Sequence, residues 1–243
     1  MTEPVDVLAL GAHPDDIELG CGAALVVAAR SGLRVAAADL SRGEMASFGT
    51  VEERDLERME AARVLGLCAR PCLDLPDTRI GSDAGHLDAV VSLLRDLRPR
   101  VVLAPYLDDR HPDHAATGRL ARDATFAAGL ARVGPGNAFR PRHLFHYMVH
   151  HPFSPSFVVD VTETWPVKMA ALAAHASQFG TAGSPSAPGL LAAVEARAVW
   201  HGAMIGAARG EAFWAAGPVP LPNLPGLDRP GRGSTVGGYK AFL

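Results

Sequence analysis

Two short strings in the chain hold the residue types of hydrolytic metal chemistry: His13-Pro14-Asp15-Asp16 and His111-Pro112-Asp113-His114. Apolar runs that read as strands lead toward them, residues 5–12 before the first and 101–106 before the second. Parallel strands in an open α/β sheet deliver such residues to one crevice at their C-terminal ends. Two imidazoles and a carboxylate suit a catalytic divalent ion, because three protein ligands leave a position open for water. His13, Asp16 and His114 are the expected ligands. Adjacent acids after a strand can also cap a helix N-terminus, an effect of about 0.3–1 kcal/mol. A cap, however, explains neither His13 nor a second His-Pro-Asp string beyond another strand. A nucleotide-binding turn fits poorly, since Gly20-Cys21-Gly22 lacks a third glycine at the required spacing.

The elements that must position these strings alternate in type. Strands are expected over 6–12, 33–40, 71–75 and 100–106. Helices are expected over 22–31, stopped by Gly32, over 51–65, amphipathic and ended by Gly66, and over 86–97, closed before Pro99. Another opens at Pro112 and runs to about Val133. Residues 143–149 and 157–161 are β-rich, 167–178 is a helix opened by Pro166, 181–189 a linker and 190–208 the final helix. This alternation predicts βαβ units with right-handed crossovers. The expected fold is α/β, a Rossmann-like three-layer sandwich with a mostly parallel sheet and the metal site at the C-terminal ends of its strands. One domain is expected over 1–216. A Pro/Gly-rich tail over 217–243 is expected to be pinned to the surface or to a neighbouring subunit.

The 243 residues, 48% hydrophobic and 20% charged, supply the core of one α/β domain and give no sign of global disorder. A net charge of -3 offers no basic footprint for nucleic acid or an anionic membrane. No apolar run nears the roughly 20 residues that span a bilayer. Met1 to Pro4 leads straight toward a strand without the cationic region of a signal peptide. Cys21, Cys68 and Cys72 form no Cys-x-x-Cys pair and read as reduced thiols. A cytoplasmic protein is expected.

The run from Ala12 to Glu18, taken with His111-Pro112-Asp113-His114, resembles the PIG-L/LmbE family of zinc-dependent N-acetylglucosamine deacetylases. Further matches are Ser41-Arg42-Gly43-Glu44, Gly49-Thr50 with Arg54, Leu75-Pro76-Asp77, and His175 with Gln178. Ala104-Pro105-Tyr106, Tyr147-Met148, residues 157–161 and Gly210-Glu211-Ala212-Phe213 are most similar to the bacillithiol-pathway branch, which acts on N-acetylglucosaminyl malate. The resemblance implies one zinc ion per subunit on His13, Asp16 and His114, with Asp15 as general base. It makes His111 the cation-like group at the oxyanion and has Asp113 hold the His111 ring. It also implies a homo-oligomer, trimer or hexamer. The chemistry agrees with that division: zinc lowers the pKa of bound water to about 7, and Asp15, beside a ligand, is placed to move the proton. Fe(II), Co(II) or Mn(II) suits a His2Asp site nearly as well.

Arg54 resembles the family's substrate arginine; its alternative is a solvated charge on an amphipathic helix. Arg110, beside His111, is a candidate for a carboxylate on the aglycone, and Arg42 and Glu44 for a sugar hydroxyl. His175 and Gln178 lie one turn apart and share a helix face. His143, His146, His150 and His151 read as surface or edge histidines rather than a second metal site. A metal phosphoesterase would want a richer acidic cluster and basic residues near the motifs. A non-catalytic sugar binder would be expected to lose Asp15 or a ligand. Among deacetylases, inositol, chitooligosaccharide and thiol S-conjugate substrates stay open.

Overall fold

The computed structural model describes residues 3–180 and 185–220. Its centre is β1 (Val7–Gly11), buried along its whole length. Successive side chains leave a strand on opposite faces. Leu8 and Leu10 accordingly join a core with Val90, Leu94, Leu120 and Ala124, while Val7 and Ala9 join one with Ile17, Leu25, Trp165 and Val194. Helices therefore cover both faces, as continuous apolar strands require. On the first face lie α3 (Ala84–Leu97) and α4 (Pro112–Ala127); on the second lie α1 (Asp16–Arg30), α5 (Trp165–Ala174) and α7 (Ala187–Met204). Helix α2 (Val51–Leu65) packs outside, against α1 and α5, and α6 (Ala176–Phe179) is a single turn.

Strands β2 (Val35–Asp39), β1, β3 (Val101–Pro105) and β4 (His143–Tyr147) run parallel. Two antiparallel strands, β6 (Gly210–Trp214) and then β5 (Phe157–Asp160), complete the order β2-β1-β3-β4-β6-β5. The mixed six-stranded sheet between two helical layers is the expected Rossmann-like sandwich. From β1 the chain crosses by α1 to β2 on one side. From β2 it returns by α3, on the opposite face, to β3 on the other side of β1. The loops leaving β1 and β3 thus diverge and open a crevice at the C-terminal edge, where such sheets place their chemistry.

Local sequence explains where elements begin and end. Helix α2 matches its expected bounds: Thr50 and Glu53 form a reciprocal capping box, and Gly66 closes it at a left-handed φ of 73°. Helix α1 starts at Asp16, earlier than expected, because the first motif runs directly into it, with Asp15 at the N-cap and Asp16 as the first helical residue. Gly20 lets α1 sit against the sheet: a Cβ there would lie 2.0 Å from Tyr147 Cδ2. Tyr147 in turn donates its hydroxyl to the Leu10 carbonyl at 2.7 Å.

Further expectations change. Helix α4 closes at Ala127 rather than near Val133. The segment expected as a strand over 71–75 makes only one isolated bridge, Cys72 with Asp39, and a second, Ala69 with Ala36, lies just before it alongside β2. The expected helix over 167–178 is two helices, α5 and α6, joined at His175. Helix α7 ends at Met204 and leaves room for β6, which the sequence reading did not anticipate. The tail from residue 221 onward lies outside the described residues.

Candidate metal centre and active site

The turn after β1 and the first turn of α4 meet around the Asp16 carboxylate. Its Oδ2 accepts the amides of Ala12 and His13 at 2.9 and 3.0 Å, which fixes the side chain beneath the loop. His13 Nδ1 lies 3.5 Å from that Oδ2, and His114 Nε2 lies 3.0 Å from Oδ1. All three residues are buried. Ligands held about 2.0–2.1 Å from a tetrahedral ion stand roughly 3.3 Å apart, and each imidazole lies near that distance from one Asp16 oxygen. His111 stacks on His114 with ring centroids 4.6 Å apart, and its nearest nitrogen also falls within ligand reach of His13 and His114.

Behind each imidazole stands a carboxylate. His13 Nε2 faces Asp77 Oδ1 at 3.1 Å and Asp113 Oδ2 at 3.4 Å; His114 Nδ1 faces Asp109 Oδ1 at 3.2 Å. Burial alone would lower the pKa of both rings, but the surrounding acids reverse the sign. Asp113, Asp16 and Asp77 raise His13 well above its ordinary value, and Asp16 with Asp109 raises His114 to about 9. The pocket therefore selects positive charge. Neutral imidazoles around a divalent cation satisfy the same field, so the residues present fit the metal.

Asp15, on the lip of this pocket, has a different environment. Among the described residues no hydrogen-bond donor reaches its carboxylate, and its nearest cation is Arg54, with Nη2 at 3.8 Å from Oδ1. Burial raises its pKa, and Arg54 opposes that rise. His111 caps α4, its Nδ1 accepting the Asp113 amide at 3.3 Å, so its remaining nitrogen, Nε2, is free to donate. Burial, with His13 and His114 next, lowers its pKa.

The expectation that Asp113 braces the His111 ring is not met. Its carboxylate accepts the Thr78 amide at 2.6 Å and lies beside His13 instead, because the 76–79 turn packs over the start of α4. Among the described residues no carboxylate hydrogen-bonds the His111 ring, and burial, with His13 and His114 next, disfavours its charged form.

The expected substrate contacts divide. Arg54 is only 4% exposed and donates to the carbonyls of Gly43 at 2.9 Å and Pro14 at 3.4 Å, tying the β1 and β2 loops together. Gly43 is required for this: a Cβ there would meet Arg54 Nη1 at 2.0 Å. Arg42 points outward and pairs with Asp74 and Asp55. Glu44 Oε1 accepts the Asp77 amide at 2.8 Å. His175 is fully buried with both ring nitrogens lacking a hydrogen-bond partner, 3.5 Å from Glu18. Gln178 donates to the Phe48 carbonyl at 2.7 Å. Arg110 is exposed and has no polar partner among the described residues.

The four later histidines scatter. His146 is buried against the Pro105 carbonyl, His143 stacks on Phe145, and His151 lies near Asp108. Only His150 joins the site, through Asp109. Asp109 carries no assignment from the sequence, since its place five residues before His114 does not separate it from the adjacent Asp108. Asp77 falls within the Leu75-Pro76-Asp77 match, which by itself assigns it no role.

Residues 8–125 match the family described as PIG-L, GlcNAc-PI de-N-acetylase. The conserved protein TT1542 of Thermus thermophilus superposes with a TM-score of 0.85 at 42% identity, covering 90% of this chain and 98% of that one. The diacetylchitobiose deacetylase of Thermococcus kodakarensis is 29% identical over 186 residues, 71% of this chain and 70% of that protein. A probable N-acetyl-alpha-D-glucosaminyl L-malate deacetylase 2 of Bacillus anthracis is 29% identical over 194 residues, 72% and 82% of the two chains. The matched segment runs through β1, α1 and the first turns of α4, so it contains both strings and each carboxylate behind them. Over residues 8–125 the chain is similar to the PIG-L family of de-N-acetylases.

Proposed function

We propose that the chain hydrolyses the N-acetyl group of an N-acetylglucosaminide, with N-acetylglucosaminyl malate as substrate and glucosaminyl malate and acetate as products. One observation carries the reading. His13, Asp16 and His114 converge at 3.0 and 3.5 Å, and both imidazoles are backed by carboxylates. We assign these three as the ligands of a divalent metal, zinc in our reading. Such an ion supplies a Lewis acid for the amide carbonyl and lowers the pKa of a bound water to about 7.

The remaining steps belong to side chains. Asp15 takes the proton of the attacking water and later hands it to the leaving amine, which its unencumbered carboxylate allows. Arg54 favours the ionised form of Asp15 against the effect of burial. His111 donates from Nε2 to the oxygen that becomes negative in the tetrahedral transition state; its Nδ1 is occupied by the Asp113 amide. Burial of the three ligands and their acids keeps bulk water from screening these interactions.

Malate presents two carboxylates, and an arginine fork is the natural partner for such groups. Among the described residues Arg110 is unpaired, and so is Arg79 on the turn that carries Asp77. Arg42 and Arg54 are already committed to other partners. The test is acetate release from a panel comprising N-acetylglucosaminyl malate, an N-acetylglucosaminyl inositol, diacetylchitobiose and free N-acetylglucosamine, with chelator and metal restoration. The malate conjugate should give the highest kcat/KM, and Arg110→Lys should narrow its lead. Equal turnover of the neutral sugars rejects malate; no release from any member rejects the whole reading.

A further inference from the structure

Asp109 holds more donors than any other carboxylate around the crevice. Its Oδ1 receives the His111 amide at 2.9 Å, His150 Nδ1 at 2.9 Å and His114 Nδ1 at 3.2 Å. Its Oδ2 receives the amides of His150 at 2.9 Å and His151 at 3.4 Å. The side chain is 1% exposed. The two imidazoles it holds lie parallel, with centroids 5.1 Å apart. The 148–151 segment is itself fastened to α7, where Arg197 donates to the Val149 carbonyl at 2.5 Å.

We infer that Asp109 is the positioning residue of the metal centre: it fixes His114 with the proton on Nδ1 and the lone pair of Nε2 directed at the ion. The inference rests on the reading of His13, Asp16 and His114 as ligands. Every group facing Asp109 is a donor, and three of them are backbone amides that cannot change role. An imidazole can. A side-chain amide at position 109 has one oxygen and one NH2 group, so no orientation satisfies all five donors. With the oxygen toward the His150 and His151 amides, the NH2 faces the His111 amide, which it cannot satisfy, and both imidazoles, which can accept from it. His114 must then accept at Nδ1 and carry its proton on Nε2, where it no longer binds a metal. The isosteric amide is therefore at least as damaging to metal binding as complete truncation. A group that merely fills space predicts the reverse order.

The experiment measures zinc(II) and cobalt(II) affinity of the full-length chain, stripped of metal, by competition with a chromophoric chelator. Melting of the metal-free forms is recorded in parallel. Asp109→Asn is expected to weaken the Kd by about 10–100-fold, the range for partners behind a ligating histidine, and to bind no tighter than Asp109→Ala. A Kd within twofold of the parent, or Asn binding clearly tighter than Ala, overturns the inference even if melting falls. His150→Ala leaves Asp109 in place and should hold the Kd within about threefold. A loss there as large as that for Asp109→Asn moves control to the 150 loop and equally overturns it. This variant keeps the inference testable if the Asp109 variants fail to fold. His114→Ala separates the two levels: if it retains stoichiometric metal, the ligand assignment has failed and not the role of Asp109.

Discussion

Replacing Arg54 by Met keeps the stem of the side chain and removes its charge, and the consequence follows from one distance. Arg54 Nη2 stands 3.8 Å from Asp15 Oδ1. At an effective dielectric constant of about 20, two unit charges at that separation attract by about 4 kcal/mol. At 1.36 kcal/mol per unit this sets a ceiling of about 3 pH units on the effect, and an opposite charge this close usually moves a carboxyl by about 1–3. The sign is fixed by chemistry. Asp15 must be ionised to take a proton, Arg54 favours the ionised form, and burial opposes it. Without Arg54 the acid limb of the kcat/KM profile should move up by about 1–3 pH units, and the plateau at high pH should largely survive.

The same substitution removes donors from the Gly43 and Pro14 carbonyls. At about 0.5–1.5 kcal/mol per hydrogen bond, that is a modest loss of stability, visible in melting but too small to unfold a typical domain. Acetate release measured from pH 5 to 9, beside a melting curve, separates the two effects. An acid limb that stays put while KM rises would refute the reasoning and return Arg54 to the role of a substrate arginine.

Other perturbations give sharper contrasts. Asp15→Asn should keep stoichiometric metal and lose about 10²–10⁴-fold in kcat; retention of kcat within a few-fold reduces Asp15 to a structural acid. His111→Ala should lower kcat and kcat/KM together with KM little changed, as expected for a contact made only in the transition state; a pure KM effect makes it a binding group. Arg70 lies wholly buried between Glu18 and Asp39, with Nε 2.8 Å from Asp39 Oδ2. Arg70→Met strands two buried carboxylates and should cost about 3–5 kcal/mol in denaturant unfolding; a loss below 1 kcal/mol means that water reaches the pair.

Much of this was legible because its causes are local. An apolar run before a turn made β1 and β3 readable, and α2 carries both its cap and its stop within a few residues of its ends. The meeting of His13, Asp16 and His114 was legible for the same reason: two motifs after two strands need only a parallel sheet to meet. What escaped depends on partners far along the chain. Strand β6, Gly-Glu-Ala-Phe-Trp, puts Glu211 in the interior, against every rule for an apolar strand. It is tolerated because Lys168 donates to it at 2.6 Å and the amides of Ala23 and Ala24 at 3.2 and 2.7 Å. None of those donors is adjacent in sequence.

Asp109 escaped through ambiguity rather than distance. Asp108 and Asp109 are neighbours of the same type, and spacing alone does not say which turns inward. The backbone decides: Asp109 Oδ1 accepts the His111 amide, which commits its side chain toward His114, while Asp108 points to solvent beside His151. Asp113 failed in the opposite way. A carboxylate two residues from an imidazole looks like its natural brace, yet the first turn of α4 carries Asp113 past His111 to the far nitrogen of His13. Sequence proximity therefore brought His13, Asp16, His111 and His114 together but missed Asp109 and paired Asp113 with the wrong ring. The pairing matters most for chemistry, because it decides which nitrogen of each ring is left to bind an ion.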